Sequence, residues 1–106
     1  MIYCGNIVYD EELKNKLNRF AIYGARGVGR KIYEYMEING LEGQVEYFCD
    51  RDRELQGKTY HGVPVIEPEK IIQNHEIHIL VGGGAAYEKL KYLTEHNFKN
   101  VHILEL

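Results

Sequence analysis

Short apolar runs alternate along this chain with amphipathic stretches. Phe20-Ala21-Ile22-Tyr23 is apolar throughout and ends on Gly24. Such continuity in a short strand means burial on both faces, as at the centre of a parallel sheet. The period then changes: Val28, Ile32, Tyr35, Met36 and Asn39 share one helical face, with Arg30, Lys31, Glu34 and Glu37 on the other. Gly40 stands in the usual C-terminal glycine position of a helix. Val45-Glu46-Tyr47-Phe48-Cys49 reads as a second strand ending at Asp50. A polar stretch from Asp50 to Gly62, with Gly57 and Gly62 as turn residues, leads to Val63-Pro64-Val65-Ile66. Pro64 confines that extended piece to an edge or a strand start. Pro68 opens a brief helix ending near Gln73. Ile77 to Val81 repeats the first pattern and runs into Gly82-Gly83-Gly84. A helix from Ala85 to near His96 turns Ala86, Leu90 and Leu93 inward, and Val101-His102-Ile103-Leu104 closes the chain with alternation.

Strands alternating with helices predict an α/β fold, a single Rossmann-like parallel sheet with right-handed crossovers. With the five predicted strands numbered in chain order, the spatial order 3-2-1-4-5 places the two wholly apolar strands side by side at the centre. The alternating strand at Val101 then falls at an edge. Residues 1–18 read as an N-terminal helical extension and residues 19–106 as the Rossmann-like nucleotide-binding domain. Within the extension, Met1 to Tyr9 is apolar but irregular and is assigned to no element. Asp10 is a helix N-cap, Glu11 and Glu12 suit the first turn, and Leu13 and Leu17 share a face of a helix reaching about Asn18.

Composition narrows the class without naming a chemistry. The 106 residues suit one domain, and 44% hydrophobic with 27% charged residues is a globular balance. A formal net charge of −3 exerts no long-range pull on nucleic acid or an anionic membrane, so neither is expected as a partner. The two cysteines, Cys4 and Cys49, lack disulfide-framework or metal-ligand spacing, and Cys49 reads as a buried thiol. The N-terminus lacks the basic start of a signal peptide, and no apolar run approaches the ~20 residues that span a bilayer. A cytoplasmic setting is the expectation.

The chemistry concentrates at two glycine turns. Gly24-Ala25-Arg26-Gly27-Val28-Gly29 lies between a strand and a helix start, where free N–H groups and the helix dipole attract phosphate. Gly82 and Gly83 follow the other central strand, so both turns meet where the strand order reverses. Asp50 ends the second strand about 20 residues beyond Gly29, where a dinucleotide fold keeps its ribose-binding acid. The dinucleotide fingerprint wants glycines at the positions of Gly24, Arg26 and Gly29, and the middle one is replaced. A side chain there blocks close approach of a pyrophosphate or substitutes a guanidinium contact. A plain reading stands beside this one: the glycines serve only a tight turn, and Asp50 is a solvated turn acid beside Arg51.

The run Ala21 to Gly29, with Phe48-Cys49-Asp50-Arg51-Asp52, Leu55-Gln56-Gly57-Lys58 and Gly62-Val63-Pro64-Val65, carries a family likeness. It resembles the N-terminal nucleotide-sugar-binding domain of bacterial sugar acyltransferases of the left-handed β-helix type. It is also similar to Rossmann-like modules of polysaccharide-biosynthesis dehydratases, glycosyltransferases and some methyltransferases. The resemblance covers about residues 19 to 106. It implies that the glycine loop lies against sugar-nucleotide phosphates and that Asp50 recognises the nucleotide. It departs at Arg26 and at Arg51, which interrupts an acidic pair, and it supports binding without acyl transfer.

Sharper chemistries fare worse. Tyr87 and Lys91 match the Tyr-x-x-x-Lys pair of short-chain dehydrogenases, but nine tyrosines make chance matches easy. His75 and His78 lack a third metal ligand at suitable spacing, and His61, His96 and His102 are scattered. Arg51, Arg53 and Lys58 are interleaved with Asp50, Asp52 and Glu54, a solvated loop rather than a nucleic-acid patch. The expectation is a non-catalytic module that binds a nucleotide or nucleotide-sugar in carbohydrate biosynthesis, associated with a larger biosynthetic enzyme or with copies of itself. A nucleotide-sugar is favoured over NAD(P). Alternatives are an NAD(P)-dependent oxidoreductase or epimerase fragment and a ligand-free docking domain.

Overall fold

The computed structural model describes residues 17–104 and the strand Ile2–Gly5. The helix expected between Asp10 and Asn18 lies outside the described residues except for Leu17, in a turn, and Asn18, in no regular element. In chain order the elements are β1 (Ile2–Gly5), β2 (Phe20–Tyr23), α1 (Gly27–Ile38), β3 (Val45–Cys49) and β4 (Thr59–Tyr60), then β5 (Val63–Ile66), α2 (Pro68–Ile71), β6 (His78–Gly82), α3 (Ala86–Glu95) and β7 (Val101–Leu104). Among the described residues seven strands form one sheet in the order β1-β7-β6-β2-β3-β5-β4. All neighbours are parallel except β4 and β5.

The five strands legible in the sequence keep the order 3-2-1-4-5, and the sheet gains one strand at each side. At its middle β2 pairs with both β3 and β6, and all four of its residues are buried. Alternation distributes them between two cores. Phe20 and Ile22 pack with Ile32, Tyr33 and Met36 of α1, whereas Ala21 and Tyr23 join Ile79, Val81 and Leu93 on the face carrying α2 and α3. Crossovers on opposite faces leave the carboxyl ends of β2 and β6 open to a common crevice.

Three expectations need correcting. The Val101 strand is not an edge, because β1 pairs along it from Ile2↔Val101 to Gly5↔Leu104. Its alternation misled because His102, polar in the sequence, is buried beside His78. The polar stretch before Gly62 contains β4, joined to β5 by the two-residue turn His61-Gly62 with φ of 53° and 76°. Positive φ at both central positions matches the right-handed twist of a hairpin. Pro64 therefore sits one strand in from the edge, and the bonds to the preceding segment bypass its missing N–H by using both Val65 groups, with Lys58 and Gly57. On α1, Tyr33 is buried and Tyr35 only partly so. The hairpin draws Tyr33 inward, with its ring stacked on His61 at 4.3 Å and tilted against Phe48 at 6.0 Å.

Candidate functional site

The glycine loop is shaped first by its own backbone. Gly24 has φ +112°, a conformation side chains rarely adopt, and its N–H donates to the Cys49 carbonyl at 2.7 Å. Arg26, in extended conformation, begins α1, and its carbonyl accepts the first helical bond from Arg30 N–H. A Cβ on Gly29 would lie 1.8 Å from the Gly24 carbonyl oxygen, so only glycine lets the first helical turn seat on the loop. Among the described residues no side chain caps the start of α1, and no acid occupies its first turn. Across the crevice, Gly82 ends β6 and is buried, and Gly83 has φ +76°. A Cβ on Gly83 would fall 2.6 Å from Val28 Cγ2, so the two glycine turns do meet.

The acids after β3 tie this loop down. Asp50 accepts from Ala25 N–H through Oδ2 and from Asp52 N–H through Oδ1, both at 2.9 Å. Its position is the expected one, but its carboxylate staples two loops instead of standing free. Arg26 pairs with Asp52 at 2.8 Å on an exposed surface and does not line the cleft over the end of β2. Arg51, next in sequence to the staple, turns over Tyr92 at 5.2 Å and donates from Nε to the Tyr23 hydroxyl at 3.3 Å. That bond keeps the Arg51 guanidinium protonated even more firmly than usual, while burial pushes the Tyr23 phenol up against it.

Sequence reasoning missed Lys89. Its ammonium donates to the Tyr23 carbonyl at 3.1 Å and lies 5.4 Å from the Tyr23 ring centre. Burial pulls its pKa below the ordinary lysine range, with the Asp50 carboxylate opposing that shift. A signal existed: Lys89 is three residues after Ala86 and four before Leu93, both assigned to the inward face. Lys89 joins Tyr23, Gly24, Asp50, Arg51, Ala85 and Glu88 around a cleft of about 160 Å³.

The remaining candidates lie elsewhere. Tyr87 is 76% exposed and neither it nor Lys91 lines the cleft. His78 Nδ1 and His102 Nε2 are 2.8 Å apart, and His75 stacks on Phe98 at 5.7 Å. Among the described residues no three metal-ligand side chains cluster. Cys49 is buried as expected, and burial drives its thiol far up. Among the described residues no helix is long and apolar enough to cross a membrane.

No family model and no curated protein sequence matches the chain. Solved structures do. A Rex-family repressor, RSP, superposes with a TM-score of 0.65 at 16% identity over 91% of this chain, which spans 58% of that protein. RSP in complex with β-NADH gives 0.60, also at 16% identity, with the same coverage. UDP-D-quinovosamine 4-dehydrogenase from Vibrio fischeri gives 0.60 at 23% identity, over 84% of this chain and 77% of that one. Sheet order, crossovers and these likenesses together show a Rossmann-like fold.

Proposed function

We propose that this chain binds a nucleotide through its phosphate, with a nucleotide-sugar favoured over a nicotinamide dinucleotide, as a module of carbohydrate biosynthesis. One observation carries the reading: Gly29 seats an uncapped helix start against a loop whose other end is fixed by Asp50. Preformed N–H donors at the switch point of a parallel sheet suit an anionic ester and need little rearrangement to receive it. The side chain at Arg26, where a dinucleotide fold keeps glycine, favours the nucleotide-sugar. A UDP-sugar dehydrogenase among the structural neighbours supports that ligand class, and a neighbour holding β-NADH supports the dinucleotide as second reading. Asp50 retains unused lone pairs that suit a ribose hydroxyl. The proposal is for binding, not acyl transfer.

Calorimetry and thermal shift with UDP-N-acetylglucosamine, UDP-glucose, NADH and NADPH test it. A UDP-sugar at a hundred times its Kd stabilises the fold by about 2.7 kcal/mol, which raises Tm by roughly 10 °C in a domain of this size. Tighter NADH binding transfers the reading to the dinucleotide. No response to any of the four at millimolar concentration refutes it.

A further inference from the structure

Two cations from separate elements converge on the cleft over the end of β2: Lys89 from α3 and Arg51 from the turn after β3. Resting on the nucleotide reading above, we propose that Lys89 is the residue that selects the ligand's phosphate, exchanging the Tyr23 carbonyl for a phosphate oxygen, with Arg51 as its partner.

The environment of Lys89 is unusual for a surface helix. A lysine normally extends its ammonium into water over an apolar stem. Here the ammonium is folded back beneath the loop, half-buried, against the carbonyl that ends β2. Any side chain at Gly24 would crowd it, because a Cβ there would be 2.9 Å from Nζ. The ammonium has three donors, and the Tyr23 carbonyl is its one hydrogen-bond acceptor among the described residues. It makes no ion pair among them. Asp50 favours the ammonium's charge without a direct bond to it, and its two oxygens each accept one backbone N–H, from Ala25 and Asp52. A half-buried cation with one neutral acceptor is poorly compensated, and an incoming oxyanion supplies what is missing. Burial lowers the lysine pKa, and Arg51 adds to that shift.

Arg51 completes the arrangement. Its Nε and its face are held by Tyr23 and Tyr92, which fixes the plane of the guanidinium. Its two terminal nitrogens carry no partner among the described residues, and that fork matches phosphate oxygens. Glu88 on the cleft wall accepts hydroxyl hydrogens, so a phosphate ester of a sugar suits the cleft better than bare phosphate.

The test is calorimetry of UDP-N-acetylglucosamine, NADH, pyrophosphate and uridine on the wild-type chain and on Lys89→Met. Lys31→Met, on the outer face of α1, is the charge-loss control. Lys89→Met should weaken the phosphorylated probes about tenfold or more and leave uridine as it was, with Lys31→Met binding like wild type. A saturating phosphorylated probe should also protect Lys89 of the wild-type chain from reductive methylation, read by mass spectrometry, which needs no variant to fold. Wild-type affinity in Lys89→Met or unchanged labelling of Lys89 overturns this inference and leaves the nucleotide site standing. A wild-type chain that binds none of the probes removes both.

Discussion

The three fingerprint positions of the glycine loop answer to different demands. Gly24 is required by its backbone conformation and Gly29 by contact with the Gly24 carbonyl, so the fold itself enforces both. Arg26 has an ordinary extended conformation, and nothing in the folded loop asks for glycine there. The middle glycine of a dinucleotide site serves the ligand alone, so its replacement informs about the ligand and leaves the fold untouched. A pair of substitutions separates these roles. Gly29→Ala should destabilise the protein by about 3 kcal/mol in urea denaturation, because the obstructing atom is backbone and cannot rotate away. Gly27→Ala meets open space in a helical conformation and should stabilise by about 0.5–1 kcal/mol. Equal midpoints for the two variants would disprove the close seat of α1 on the loop. Spacing made Gly24, Gly29 and Asp50 legible in the sequence. The staple from Asp50 to Ala25 and the folding back of Lys89 were not, since each depends on a partner more than 20 residues away.

Double-sided burial made the central elements readable. Phe20–Tyr23 is apolar without interruption and the run leading to Gly82 is broken only by the half-buried His78, because helices cover both faces, and that pattern pointed to their adjacency. The edge strands carry no such mark. Ile2–Gly5 is short and ends in glycine, and Thr59-Tyr60 is two residues within a polar stretch. Their extended form comes from the strand beside them rather than from their own propensity. His102 shows the same limit, since a polar residue reads as solvent-facing until the half-buried imidazole of His78 is known to stack on it at 5.0 Å. Deleting residues 1–5 exposes the outer edge of β7 and should lower stability by about 1–2 kcal/mol through lost ladder bonds. Hydrogen exchange localises the effect: amides of Val101–Leu104 should exchange faster while those of Phe20–Tyr23 keep their relative protection. Unchanged exchange in β7 would mean that β1 does not pair with it in solution.

For the molecule as a whole, the question is whether binding is accompanied by chemistry. Catalysis needs a nucleophile or an acid–base pair beside the reacting group, and room for a second reactant held in line with it. The cleft over β2 supplies Lys89 and Arg51, which recognise charge, and Asp50, whose oxygens already hold two backbone N–H groups. Its volume, about 160 Å³, is below the roughly 300 Å³ at which small-molecule pockets begin, so it suits part of one ligand rather than two substrates. Tyr87 and Lys91, the pair with a hydride-transfer precedent, stand on the exposed side of α3, and Tyr87 is 76% accessible. A proton-transfer tyrosine has to lie within hydrogen-bond reach of the substrate oxygen, and this one does not line the cleft. The chain should therefore give no turnover when incubated with UDP-sugars, with acetyl-CoA added separately, or with NAD(H) or NADP(H), as followed by product formation. Binding in the same samples should still raise Tm, which separates a silent site from an empty one. Turnover that persists through repurification and disappears in Tyr87→Phe would overturn this expectation, because it would require α3 to swing Tyr87 into the crevice and would make the dehydrogenase reading the better one.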